Sequence, residues 1–163
     1  MSTHISRSEA EQLLYREALL LDRRDWDSWL ALYEPEAVFW MPAWRDEVHP
    51  TEDPDAELSL IWYRGRRHLE ERVWRARSGL SIASTPLPRT VHAVTNILVE
   101  DDGTVCASFT VHLNDVRADR THIFFGRYEY RVAKDEGGDW RIARKKILLL
   151  NDTIPTVVDF YSI

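Results

Sequence analysis

Cysteine is almost missing from this chain. A single thiol, Cys106, stands among 163 residues, which excludes an intrachain disulfide, a cysteine-built zinc site and a Rieske-type [2Fe–2S] centre, because the last takes two cysteines and two histidines from one chain. Long apolar runs are missing too. The longest, Trp29 to Tyr33 and Ala37 to Met41, are five residues each, far short of the roughly 18 that a membrane-spanning helix takes. The opening residues, Met1 to Ser8, have neither the apolar stretch nor the small-residue cleavage site of a secretory signal, so the sequence points to the cytoplasm. Positive charge is also in deficit: the formal net charge is −6, the wrong sign for a general nucleic-acid binder. The length suits about one ordinary domain, so residues 1–163 are expected to form one domain with no room for a second.

What is present is patterned. Ser8-Glu-Ala-Glu11 reads as a capping box, and Ala10, Leu13, Leu14, Ala18 and Leu21 recur at helical spacing, predicting a helix from about Ser8 to Arg23. Asp25 opens a shorter helix with Trp26, Trp29, Leu30 and Tyr33 on one face, ended by Pro35, so the N-terminal helices occupy about 8–34. Glu36 to Met41 reads as a strand buried on both faces, residues 42–54 as a surface loop, and Leu58 to Tyr63 as a second strand. Leu69, Val73, Ala76 and Leu80 then mark an amphipathic helix whose other positions are filled with arginine. From about 89 to 150 the period becomes two. Four runs, joined by turns such as Asp102-Gly103 and Gly137-Gly138, predict an antiparallel meander, followed by a tail over 151–163. Helices before an antiparallel sheet mean an α+β fold with the helices on one sheet face.

Candidate sites are few. His92, His112 and His122, on three successive predicted strands, could join Asp115 or Asp119 as a two-histidine, one-carboxylate iron set, but no spacing fixes two ligands on one element. Tyr15, Asp25, Tyr33 and His92 could line an acid–base pocket, although Asp25 is better explained as a helix cap and the tyrosines as core. Arg64 to Arg77 holds six arginines and suits a solvated or subunit-facing helix rather than a phosphate site. Arginine outnumbers lysine 18 to 3, and seven tryptophans are too many for one small core to bury easily. Both residue types favour protein interfaces. The expectation is therefore no catalytic, cofactor or metal residue in this chain, and an obligate oligomer subunit.

Several segments carry a resemblance. Ala37-Val-Phe-Trp-Met-Pro-Ala-Trp44, Thr51-Glu-Asp-Pro54 with Leu58-Ser-Leu-Ile-Trp-Tyr63, and Arg144-Lys-Lys-Ile-Leu-Leu-Leu-Asn-Asp152 with Ile154-Pro155 and Asp159-Phe160-Tyr161 resemble the small (beta) subunit of aromatic-ring-hydroxylating dioxygenases, nearest the benzoate, toluate and anthranilate group. The resemblance implies a nuclear-transport-factor-2-like cone. It also implies a non-catalytic subunit that holds large (alpha) subunits in an α3β3 assembly, acting on an aromatic carboxylate. The Rieske [2Fe–2S] cluster and mononuclear Fe(II) would sit in the large subunit, with NADH electrons arriving through a reductase. The rival is a free-standing cone-fold isomerase or dehydratase with a Tyr/Asp/His pocket. For the subunit interface the expected residues are Arg144, Lys145, Lys146, Asp159, Phe160, Tyr161 and Trp44. The three basic positions cannot all enter one apolar core, and a desolvated cation needs a partner that another chain can supply.

Overall fold

A computed structural model describes residues 3–155 and 158–163, so positions 156 and 157 of the expected tail lie outside the described residues, as do 1 and 2. In chain order the elements are α1 (Arg7–Asp22), α2 (Trp26–Leu30), β1 (Tyr33–Pro42), β2 (Ser59–Arg64), α3 (Arg66–Arg77), β3 (Arg89–Val99), β4 (Val105–Asp115), β5 (Arg120–Lys134) and β6 (Trp140–Leu149). Every element expected from periodicity is present in the expected order.

Three boundaries differ from the reading above. The capping box is Ser6/Glu9 rather than Ser8/Glu11: Ser6 is extended, its hydroxyl accepts the Glu9 N–H, and the Glu9 carboxylate accepts the Ser6 N–H at 2.9 Å. Ser8 is already inside the helix, and Glu11 instead pairs with Arg7 one turn earlier. The second helix stops at Leu30, and Tyr33 begins β1, so Pro35 is a strand residue. The strand tolerates it because β1 pairs β6 at Tyr33↔Ile142 and then not again until Val38↔Arg144, leaving no ladder bond there for proline to break. Leu80 lies beyond the end of α3 and is exposed.

The six strands form one open sheet in the order β2-β1-β6-β5-β4-β3. The meander β3 to β6 is antiparallel throughout, whereas β1 joins β6 in parallel, which makes the sheet mixed. Register shifts in β1, in β3 between Thr95 and Leu98, and in β5 between Arg131 and Val132 bend the strands, because an extra residue on one side of a ladder raises local twist. At Gly126 in β5 a Cβ would collide with the Leu148 carbonyl oxygen and touch Phe109, so only glycine allows the close approach. The curved sheet wraps α1, whose Ala10, Leu13, Leu14, Glu17, Ala18 and Leu21 are buried against it. The interior is packed with Trp26, Trp29, Tyr33, Phe39, Phe109, Phe124, Tyr128 and Tyr130. None of the described helices is long and apolar enough to cross a membrane.

Candidate subunit interface

A sheet covered by helices on one face normally turns polar residues to water on the other. Here the register assembles a different surface. Across β2, β1, β6 and β5, one rung on the face turned away from α1 reads Arg64, Val38, Arg144, Arg131, and the next reads Trp62, Trp40, Lys146, Glu129, continuing to Cys106 on β4. Toward the far end come Leu148 beside Arg127, then Phe125 beside Thr110 and Ala93, then Ile123 beside His112 and Val91. Val91, Ile123 and Phe125 are 61%, 47% and 43% exposed. Aromatic, aliphatic and arginine side chains are thus concentrated on the uncovered face, the composition of a protein interface.

Trp40 shows how the face is built. It is 2% exposed although it lies on the outer side, because its neighbours roof it: Trp62 meets it edge-on at 6.0 Å, Arg144 lies 5.2 Å and Lys146 4.9 Å from its ring centroid, and Ser59 accepts its indole N–H at 2.9 Å. Arg64 in turn covers Trp62 at 5.2 Å. These cation–ring contacts fix the arginine and lysine heads in a row without neutralising them.

The expected interface residues divide by strand parity. Arg144 and Lys146 point outward, and Lys145 between them points into the core. Its ammonium donates to Glu17 at 2.8 Å, with the two side chains 1% and 2% exposed. The partner that a second chain was expected to provide is therefore supplied by α1 of the same chain. Tyr130 donates to the other Glu17 oxygen at 2.6 Å, Tyr33 donates to Glu17 as well, and the Lys145 ammonium stands 4.2 Å from the Tyr128 ring centroid. Burial pushes the Glu17 carboxyl up, but the Lys145 ammonium and the hydrogen bonds from Lys145, Tyr130 and Tyr33 outweigh it and hold it below the usual carboxylate range. Burial also lowers Lys145, with Glu17 pulling it partly back. Burial and the Glu17 charge push both tyrosines well above their ordinary value, so their hydroxyls stay protonated donors.

The tail residues are likewise engaged within the chain. Asp159 accepts a two-nitrogen clamp from Arg72 and the Phe160 N–H, Phe160 stacks on Trp29 at 5.1 Å, and the Tyr161 hydroxyl bonds Ser84 at 2.8 Å. Trp44, in the loop after β1, donates its indole N–H to the Leu149 carbonyl at 2.9 Å. Glu17 is absent from the sequence reading, yet it carried a signal: it lies three residues after Leu14 and four before Leu21, a carboxylate in the middle of an apolar stripe.

The same parity separates the histidines. His92 pairs with Val111 and His122 with Leu113 on the inner face, whereas His112 pairs with Val91 and Ile123 on the outer one. No group of three potential metal ligands exists among the described residues. Of the acid–base set, Asp25 caps α2, Tyr15 is half exposed on α1, Tyr33 is bound to Glu17, and His92 is held by Asp22 at 2.6 Å. The structure does not bring these four together. Surface pockets open beside α2 and α3, beside α1 and β6, at the β3–β5 ends, at the Asp101 turn and at the Trp44 loop, and none of them is lined by Glu17, Asp22, Tyr33, His92, Tyr130 or Lys145.

Comparison with known proteins bears on this surface. A family described as the ring hydroxylating beta subunit matches residues 16–156. The chain is 43% identical over 152 residues to the 2-halobenzoate 1,2-dioxygenase small subunit of Burkholderia cepacia, covering 92% of each. It is 40% identical to the toluate 1,2-dioxygenase subunit beta of Pseudomonas putida, covering 98% of this chain and 99% of the other. Among solved structures, the beta subunit of the benzoate 1,2-dioxygenase from Burkholderia mallei is similar over 100% of both chains, with 35% identity and a TM-score of 0.74. A putative scytalone dehydratase from Novosphingobium aromaticivorans shares the fold at 16% identity and a TM-score of 0.64, covering 91% of this chain and 85% of that one.

Proposed function

The chain belongs to the ring hydroxylating beta subunit family, and from that membership we propose that it is the non-catalytic small subunit of a dioxygenase that acts on an aromatic carboxylate of the benzoate type. The observation that carries the structural role is the outer sheet face, where Trp40, Trp62, Phe125, Ile123, Val91 and a row of cations stand uncovered or roofed only by one another. Covering such a face removes apolar area from water, at about 25 cal/mol per Å². Its partners in this reading are large subunits and further copies of the chain in an α3β3 assembly, with Arg144, Lys146 and Trp44 proposed among the contact residues.

The chemistry belongs to the large subunit in this reading. Its Rieske [2Fe–2S] cluster and mononuclear Fe(II) do not fit the residues of this chain, which has one cysteine and whose three strand histidines, His92, His112 and His122, are divided between two sheet faces. NADH would deliver electrons through a separate reductase. The small subunit keeps the large subunits in register so that clusters and irons on neighbouring subunits stay close. None of the surface pockets named above is lined by Tyr15, Asp25, Tyr33 or His92, the set on which the dehydratase or isomerase alternative rests.

Co-expression with a large subunit, followed by oxygen uptake on benzoate in the presence of NADH and a reductase component and by size determination, tests the reading. Turnover is expected only when both chains are present, in a complex that contains both. A large subunit that assembles and turns over fully without this chain would overturn the proposal, as would turnover by this chain alone.

A further inference from the structure

Among the described residues the basic strip on the outer face is not neutralised. Arg64 and Arg131 at its margins pair with Asp55 and Asp102, but Arg127, Arg144 and Lys146 form no ion pair among the described residues. Glu129 is the one carboxylate in the rungs these three occupy. Because the chain as a whole is at −6, its acid excess lies elsewhere. A dense part of that excess is the segment between β1 and β2, which carries Asp46, Glu47, Glu52, Asp53, Asp55 and Glu57 against Arg45 and His49. Glu47 and Asp53 in it are exposed and form no ion pair among the described residues.

This segment cannot serve its own strip. It is tied down by the Thr51 hydroxyl, which donates to Leu58 at 2.8 Å and accepts the Ala43 N–H, and by the Trp44↔Pro50 bridge. From that anchorage Asp55 reaches Arg64 on the edge strand β2. Arg144 lies two strands further in, about 10 Å at the usual strand spacing. We propose that the strip formed by Arg127, Arg144 and Lys146 is covered by the acidic 46–57 segment of a second copy of this chain. In a three-fold ring each copy gives its acidic segment to one neighbour and its basic face to the other, a head-to-tail contact that closes by rotation. The inference rests on the subunit reading above and goes beyond it by naming which surfaces of the copies meet. Three side chains alone do not supply the roughly 800 Å² per partner of a standard interface, so the apolar row through Leu148 and Phe125 must share the contact.

The test is charge reversal on the full chain, read as self-association by sedimentation equilibrium and as assembly with the large subunit by co-purification. Arg144→Glu with Lys146→Glu is expected to weaken self-association about 100-fold, as like charges then face one another. Glu47→Lys with Asp53→Lys is expected to do the same, and all four together to return it to within about tenfold of wild type, because the reversed groups then face one another with opposite signs again. Near-UV dichroism checks the fold, and Arg144→Gln with Lys146→Gln, which removes charge at similar size, reads in the same direction if the reversed pair does not fold. Unchanged self-association in either double variant, or a quadruple variant no better than the doubles, overturns the proposal. A wild-type chain that co-purifies with the large subunit but never self-associates overturns this inference alone, whereas one that never binds the large subunit overturns the subunit reading.

Discussion

Replacing Lys145 by Met removes a charge at nearly constant length and leaves the Glu17 carboxylate in the core with only Tyr33 and Tyr130 as donors. Breaking a buried pair from one side costs about 3–5 kcal/mol, because the remaining charge has lost its compensation but stays out of water. Against a typical domain stability of about 5–15 kcal/mol this is a large fraction, and for a chain of this size it lowers Tm by roughly 10 °C. Glu17→Gln should cost a comparable amount, since it strands the ammonium. The double variant Glu17→Gln/Lys145→Met should lose less than the sum by at least about 2 kcal/mol, the coupling expected of groups in direct contact. Urea unfolding monitored by tryptophan fluorescence measures all four corners of the cycle.

The pH dependence separates this pair from a generic packing defect. In the wild type the Glu17 carboxyl is held below its ordinary value, so its contribution is complete above the unfolded value of about 4.3 and is lost as pH falls through the lower folded value. Without Lys145, burial is opposed only by the tyrosines and the carboxyl rises. A raised carboxyl is a penalty at neutral pH that fades as acid protonates it. The gap between wild type and Lys145→Met should therefore narrow from pH 7 to pH 4. A loss of less than about 1 kcal/mol at pH 7, or a gap that widens in acid, would refute the argument.

Arg72→Ala should free Asp159, which is only 9% exposed at its side chain, cost about 1–3 kcal/mol and shift tryptophan emission as Phe160 leaves Trp29 and Trp26. Ser6→Ala should destabilise by about 1 kcal/mol while Ser8→Ala changes little, because only Ser6 caps α1; equal effects in thermal melts would restore the Ser8 box. Elemental analysis of the purified chain should find iron and zinc well below one per chain. Stoichiometric metal that is lost on replacing His92 and His112 would contradict the placement of these two histidines on opposite sheet faces.

Which parts of this molecule can be read without coordinates depends on the range of the interaction. Local periodicity was enough for α1, α3 and the four meander strands, since each repeats its signal over ten residues or more. The start of α1 was ambiguous because Ser6 and Ser8 each have a glutamate three residues on. The ambiguity had a local solution: with Ser6 as cap, Ile5 and Ala10 fall at the positions of a hydrophobic staple, and both are buried, whereas with Ser8 those positions are Arg7 and Gln12. The end of α2 had none, because Tyr33 fits the helical spacing and is taken instead by a strand whose partner, Ile142, lies more than a hundred residues away.

The candidate interface was half legible for the same reason. Alternation along β6 puts residues 144 and 146 on one face and 145 on the other, whatever the register. It does not say that Trp40 falls between the two outward cations, because that needs the parallel pairing of β1 with β6, fixed only by closing a long loop. The inward lysine, though, creates a demand that the sequence can be searched to meet. A cation forced into an apolar layer needs a carboxylate from another buried face, and Glu17 is the one acid within the apolar stripe of α1, between Leu14 and Leu21. Pairing the misplaced charge of a strand with the misplaced charge of a helix predicts the contact of α1 with β6, and it also predicts which of the three basic residues is withheld from any partner subunit. Arg144 and Lys146 are left on the open face of the sheet, lying over the Trp40 ring with no ion-pair partner among the described residues.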